Sequence, residues 1–199
     1  MKEVLTIIAH PDDETIWMGG TILQNPNWNW TIFSLCRKDD LDRMPKFKKV
    51  CEFYKAKAII SDLDDETSDS LSLKQIKQKI EQNLSKTNYD IIFTHGSNGE
   101  YGHIRHKEIY HAVKEMISEK TLTCDSLYTF SYTPSKKTSP HDHETLIPEP
   151  NKNADLIINL NQTQYEEKFK LITEYYGFKH PAFETLSCNK VEAFAQEIK

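Results

Sequence analysis

The chain alternates short apolar runs with stretches of helical periodicity, and that alternation leaves few folds open. The apolar runs cover residues 4–9, 30–36, 56–61, 90–94, 126–132 and 156–160. Several are continuously apolar rather than alternating, which suits strands covered on both faces, as in a parallel sheet. Helices are expected between them over 14–24, 44–54, 73–84, 107–118 and 165–175. The clearest follows Ser72, where Leu73, Ile76, Ile80 and Leu84 fall on one face. Strand and helix in alternation predict an α/β three-layer sandwich: a mostly parallel, Rossmann-like sheet with helices on both faces. A chain of 199 residues can form one domain with a sizeable core, and residues 1–199 are read as a single domain. The proline-punctuated stretch 134–150 reads as a long loop. Its His141 and His143 suit either a lid or a plain surface excursion.

Charge narrows the function. A formal net charge of -5 provides no basic stripe of the kind that neutralises nucleic-acid phosphates, and no polybasic membrane surface. No apolar stretch approaches the roughly 20 residues needed to span a bilayer, and the N-terminus enters its first strand without a signal-peptide pattern. Cys36, Cys51, Cys124 and Cys188 are scattered, with no CxxC pair, so reduced and mostly buried thiols are expected. A cytoplasmic protein with no nucleic-acid or membrane partner is the expectation.

Two clusters carry chemistry. The first strand runs into Ala9-His10-Pro11-Asp12-Asp13-Glu14, a histidine and three acids at the C-terminal end of a buried strand. In open α/β sheets that end is where ligands bind. Either aspartate alone would also serve to cap the next helix, with Pro11 opening it. The second cluster follows the fourth strand: His95, then Gly99-Glu100-Tyr101-Gly102-His103-Ile104-Arg105-His106. His103 and His106, three apart, share a face if a helix begins here. His111 lies further along that helix and reads as structural. In the strand order 3-2-1-4-5, strands 1 and 4 are neighbours and the switch-point crevice opens between their ends. Both clusters then fall into one crevice. Two histidines and a carboxylate with open positions suit catalytic zinc.

The AHPDDE string, the Gly19-Gly20 pair and the Tyr101-Gly102-His103-x-x-His106 cluster resemble the PIG-L/LmbE-like zinc deacetylases, which remove N-acyl groups from amino-sugar compounds. The resemblance is strongest over 4–22 and 90–113. It implies that His10, Asp13 and His106 ligate one zinc per chain, with other divalent ions as substitutes. It further implies that Asp12 is the general base for the attacking water. His103 stabilises the oxyanion or protonates the leaving amine, and Tyr101 donates a hydrogen bond to the oxyanion. Arg43 matches a position that binds substrate hydroxyls. The implied partner is a small-molecule amino-sugar substrate, with self-association into a homo-oligomer left open.

The chemistry is consistent with that assignment: a neutral amide resists water unless the site activates the nucleophile and stabilises the oxyanion. The family commonly reads HPDH where this chain has His103-Ile104-Arg105-His106. The reversed charge at Arg105 leads to the expectation that His103 is a weaker acid here, with metal binding intact. Glu14 is weighed as a brace or a helix cap, Asp64 and Asp65 as crevice residues or a solvated loop, and His180 as a rim residue. The alternatives to an N-deacetylase are a metal-dependent hydrolase of another amide or ester and a catalytically weak metal- or sugar-binding protein.

Overall fold

The computed structural model describes residues 1–67, 69–140 and 145–198. Its main sheet has seven strands in the order β3-β2-β1-β4-β5-β9-β8. These are β1 (Glu3–Ile8), β2 (Asn29–Cys36), β3 (Lys57–Leu63), β4 (Asn88–Thr94), β5 (Thr123–Phe130), β8 (Leu156–Asn159) and β9 (Val191–Ile198). The first five pair in parallel; β9 joins β5 and β8 antiparallel. Central β1 is buried almost throughout, as its Val-Leu-Thr-Ile-Ile run anticipates.

Helices cover both faces, and each face has its own core. On one side Ile16, Trp17 and Ile22 of α1 (Asp13–Gln24) and Phe47 and Val50 of α2 (Arg43–Phe53) pack with Val4, Ile8 and Phe93. On the other, Ile76 and Ile80 of α3 (Leu73–Asn83) and Ile109, Ala112 and Val113 of α5 (Ile104–Ser118) cover Leu5, Ile7 and Phe33. The helix α3 starts with a capping box: Ser72 accepts from the Gln75 amide and Gln75 accepts from the Ser72 amide. The remaining elements are α4 (Gly99–Gly102), β6 (Tyr132–Thr138), β7 (Leu146–Pro150), α6 (Gln162–Lys170), a π-helical turn (Leu171–Tyr175) and α7 (Phe183–Ser187).

Two expectations are corrected. The stretch 134–150 is not a plain loop: β6 and β7 pair antiparallel as a two-stranded ribbon. Its prolines fit because a two-stranded ribbon has open edges where a missing N–H costs no ladder bond. His141 and His143 lie outside the described residues. The second correction is β9, which completes the sheet although 191–198 carried no strand expectation.

The helix α1 is broken at Met18, whose φ of -148° is not helical. Just past the break the amides of Gly20 and Thr21 each donate to the Glu192 carboxylate of β9 at 2.7 Å. Thr21 Oγ1 donates to it at 2.6 Å, and Lys168 of α6 pairs with it at 2.7 Å. Glu192 and Lys168 are fully buried, so the charges are tolerable only because each is neutralised and hydrogen-bonded. The glycine pair explains itself here. A Cβ on Gly20 would stand 2.2 Å from Leu160 Cδ2, and one on Gly19 would stand 2.8 Å from the Tyr54 hydroxyl. Glycine lets α1 approach these side chains.

Candidate active site

Four parallel strands end on the same side, and each delivers a side chain to one cleft. After β1 come His10, Asp12 and Asp13; after β2, Arg37; after β3, Asp65; after β4, His95 and the short α4 that leads to His103 and His106. The cleft is about 240 Å³, and its lining includes His10, Asp12, Arg43, Tyr101, His103 and Phe183.

The polar atoms converge. His10 Nδ1 lies 3.4 Å from Asp13 Oδ2, His106 Nε2 lies 3.5 Å from the same oxygen, and the two ring nitrogens are 3.3 Å apart. Donors bound at about 2.0–2.2 Å to a tetrahedral ion lie about 3.3–3.6 Å from one another. Two imidazole nitrogens and one carboxylate oxygen therefore fit a divalent metal in both spacing and chemistry. The other Asp13 oxygen accepts from Trp17 Nε1 at 2.8 Å, and the His10 amide donates to Oδ2 at 2.8 Å, which together fix the carboxylate.

Burial and charge set the protonation. Burial opposes charge on His10, but the hydrogen bonds to Asp13 and Asp65 win and raise it to about 10. His103 is driven the other way: burial, then the neighbouring His106 and His10, lower it to about 3. It is neutral at pH 7, and its Nδ1 has no hydrogen-bond partner among the described residues. Burial pushes the Asp12 carboxyl well above the usual range, against the pull of Arg43. Asp12 has φ 109°, in the left-handed region, and its amide donates to Glu14 Oε2 at 3.1 Å. Glu14 is fully buried, accepts also from Thr15 Oγ1 and the Tyr176 hydroxyl at 2.7 Å each, and is raised by burial to about 7. It braces the turn from inside rather than facing the cleft.

A model of the GlcNAc-PI de-N-acetylase family matches residues 5–117. The chain belongs to this family. It is 30% identical over 143 residues to an uncharacterized protein of Acanthamoeba polyphaga mimivirus, a match covering 64% of this chain and 61% of the relative's length. Among solved structures it is similar to the N,N'-diacetylchitobiose deacetylase of Pyrococcus horikoshii, with TM-score 0.67, 14% identity and coverage of 98% of this chain and 83% of that one. It is similar also to the 4-carboxy-2-hydroxymuconate hydratase of Pseudomonas putida, with TM-score 0.66, 14% identity and coverage of 100% and 97%. These likenesses show the shared mostly parallel sandwich.

The structure gathers the expected residues of this family member and sorts the doubtful ones. Tyr101 lines the cleft against Phe183, with ring centroids 4.6 Å apart. Arg43 lines it too, but its Nη1 sits 2.5 Å from Asp12 Oδ2 and its guanidinium lies 4.8 Å from the Phe178 ring centroid. Asp65 faces the cleft, 3.0 Å from His10 Nε2 and 2.7 Å from Arg37, whereas Asp64 is exposed and caps its own loop. His180 and His111 are exposed and do not line the cleft.

Arg105 requires a correction. It does not impose a positive charge on His103: it is fully buried, paired with Glu108, and aimed at the carbonyls of Thr67 and Asp69. Glu108 in turn accepts from Ser70 Oγ and the Leu71 amide at 2.8 Å each. The pair clasps the β3–α3 loop, and the weak basicity of His103 comes from burial and its histidine neighbours.

The sequence reading passed over Glu100. It is fully buried and accepts from His106 Nδ1 at 2.5 Å and from His95 Nδ1 at 2.9 Å. The only available signal was a lone acid inside a histidine cluster, with no spacing rule to set it apart from a helix-start glutamate.

Proposed function

We propose that the protein is a metal-dependent N-deacetylase acting on an N-acetyl amino-sugar compound, with one zinc held by His10, Asp13 and His106. The observation that carries this reading is the mutual 3.3–3.5 Å spacing of those three donor atoms, beside a raised carboxyl at Asp12. A bound divalent ion would supply Lewis-acid polarisation of the acyl carbonyl and a more acidic water.

The chain's own residues supply the rest. Asp12 takes a proton from the attacking water, and its raised pKa makes it a better base than an exposed aspartate would be. The same carboxyl then holds a proton that it can return to the departing amine nitrogen as the C–N bond breaks. Arg43, paired with Asp12, keeps that carboxyl aimed and moderates its charge. His103, neutral at pH 7, fits the role of hydrogen-bond donor to the carbonyl oxygen as that atom gains charge better than the role of a protonated acid. Tyr101, whose ring lies 5.7 Å from that of His103, supplies a second donor beside it.

The family model and the chitobiose deacetylase neighbour favour an acetamido sugar, while the hydratase neighbour shows that this fold also serves other chemistry. The assay should therefore read released primary amine and acetate from N-acetylglucosamine derivatives, with phosphomonoesters as controls. Asp12→Asn keeps the side-chain shape and the zinc but removes the base. Turnover should fall by about 10²–10⁴-fold with full metal content. Contrary to the capping alternative, the Asp12 side chain makes no hydrogen bond to the start of α1, so wild-type turnover in that variant would leave Asp12 only its pairing with Arg43.

A further inference from the structure

We propose that Glu100 is a positioning residue that sets the tautomer and ring orientation of His106 and, through His95, ties the two motif clusters into one frame. The proposal rests on reading His106 as a metal ligand.

The hydrogen bonds converge on the Glu100 carboxylate from both clusters. The Ala9 amide, one residue before His10, donates to His95 Nε2 at 2.9 Å. That nitrogen therefore carries no proton, and the His95 proton sits on Nδ1, which donates to Glu100 Oε2. The same oxygen accepts from His106 Nδ1, and Oε1 accepts from the Gly96 amide at 2.7 Å. An ionised carboxylate only accepts, so His106 must hold its proton on Nδ1 and present a bare Nε2 toward His10 and Asp13. The His95 and His106 rings stack at 3.8 Å between centroids and 21° between planes, so each packs against the face of the other. Glu100 itself takes φ 58°, ψ -58°, inside the kinked α4, and its amide is held by Asn98 Oδ1 at 3.2 Å. Thus β1, β4 and α5 are registered at the metal site by one buried carboxylate. Such outer partners of ligand histidines change metal affinity by about 10–100-fold when lost.

Glu100→Gln is the incisive variant. Its carboxamide offers one acceptor oxygen. If that oxygen faces the histidines, the amide nitrogen opposes the Gly96 N–H; if it faces Gly96, the nitrogen donates to the ring and moves the His106 proton to Nε2. In the metal-free protein, long-range ¹H–¹⁵N spectra should show Nδ1–H at His106 for wild type and a loss of that form for Glu100→Gln. Zinc affinity by chelator competition should fall by about 10–100-fold, and Glu100→Asp should recover part of it. An unchanged tautomer together with affinity within twofold of wild type overturns the proposal. If Glu100→Gln does not fold, His95→Phe keeps a ring against His106 while removing both His95 hydrogen bonds; unchanged zinc affinity there overturns it as well. If wild type and His106→Ala bind zinc equally, it is the ligand reading that fails, and the tautomer spectra still decide the role of Glu100.

Discussion

Replacing Gly20 by alanine adds one methyl group where the structure has no space for it. The new carbon would lie 2.2, 2.5 and 2.8 Å from Cδ2, Cδ1 and Cγ of Leu160, which is itself only 3% exposed. Carbon atoms prefer about 3.5–4.0 Å, so Leu160 must move by more than an ångström, against a packed core. Overpacking of this kind costs about 1–3 kcal/mol. Alanine returns up to about 1 kcal/mol through its better helix propensity. With that return in full, a net loss of up to about 2 kcal/mol is expected, or a lowering of Tm by up to about 8 °C for a chain of this size. Leu160→Ala alone should cost about 2–5 kcal/mol by leaving a cavity. In the double variant the methyl group added at position 20 enters the space that Leu160 vacates, so the two losses should not add: the pair should be at least about 1 kcal/mol more stable than their sum. Urea unfolding of the four proteins, metal-free and at one pH, measures the coupling. Strict additivity, or a Gly20→Ala protein more stable than wild type, would refute the steric reasoning.

His106→Ala should retain little zinc after dialysis, whereas His111→Ala, exposed and away from the cleft, should retain about one ion per chain; elemental analysis separates them, and equal loss from both would count against the donor set. Glu14 rises from 4.5 to about 7 on folding, because it is buried, so its proton is held more tightly in the folded state. Its contribution is complete below about pH 4.5 and is lost as the pH climbs through 7, by about 3 kcal/mol. Glu14→Gln should therefore gain on wild type between pH 5 and pH 8 in metal-free urea titrations; a difference that does not change with pH would exclude this account. Arg105→Leu strands the buried Glu108 carboxylate and should cost about 3–5 kcal/mol, with faster amide exchange across the β3–α3 loop, and adding Glu108→Leu should recover stability rather than lose more.

The sheet order around β1 was legible because continuous apolar runs and helical periodicity are local signals, and because parallel connections allow few topologies. His10, Asp12, Asp13, Tyr101, His103 and His106 were legible because they crowd two strand ends. The antiparallel β9 was not: Val191, Ala193 and Ala195 alternate with Glu192, Phe194 and Gln196, a mixed pattern that makes sense only once Glu192 is known to cap a helix from inside the core. Arg105 was misread for a related reason. Sequence adjacency to His103 suggests a shared environment, but successive residues on a helix point about 100° apart, and Arg105 points into the loop. Asp65 and Glu100 needed three-dimensional partners to be recognised, since each acts on a histidine 55 and 6 residues away respectively.

The carboxylate of Glu192 reaches a helix 171 residues earlier in the chain. During synthesis at about 5–20 residues per second, that helix waits about ten to thirty seconds for its last hydrogen-bond acceptor. Over that interval the motif that begins at His10 leads into an unfinished element whose inner amides must be satisfied by water. The helix α1, made long before β9, is therefore among the last elements to be locked. Residues 5–117 alone, however well they match their family, contain neither Lys168 nor Glu192. Released by themselves, they should be cut by protease within α1 near Met18, where the intact chain should resist.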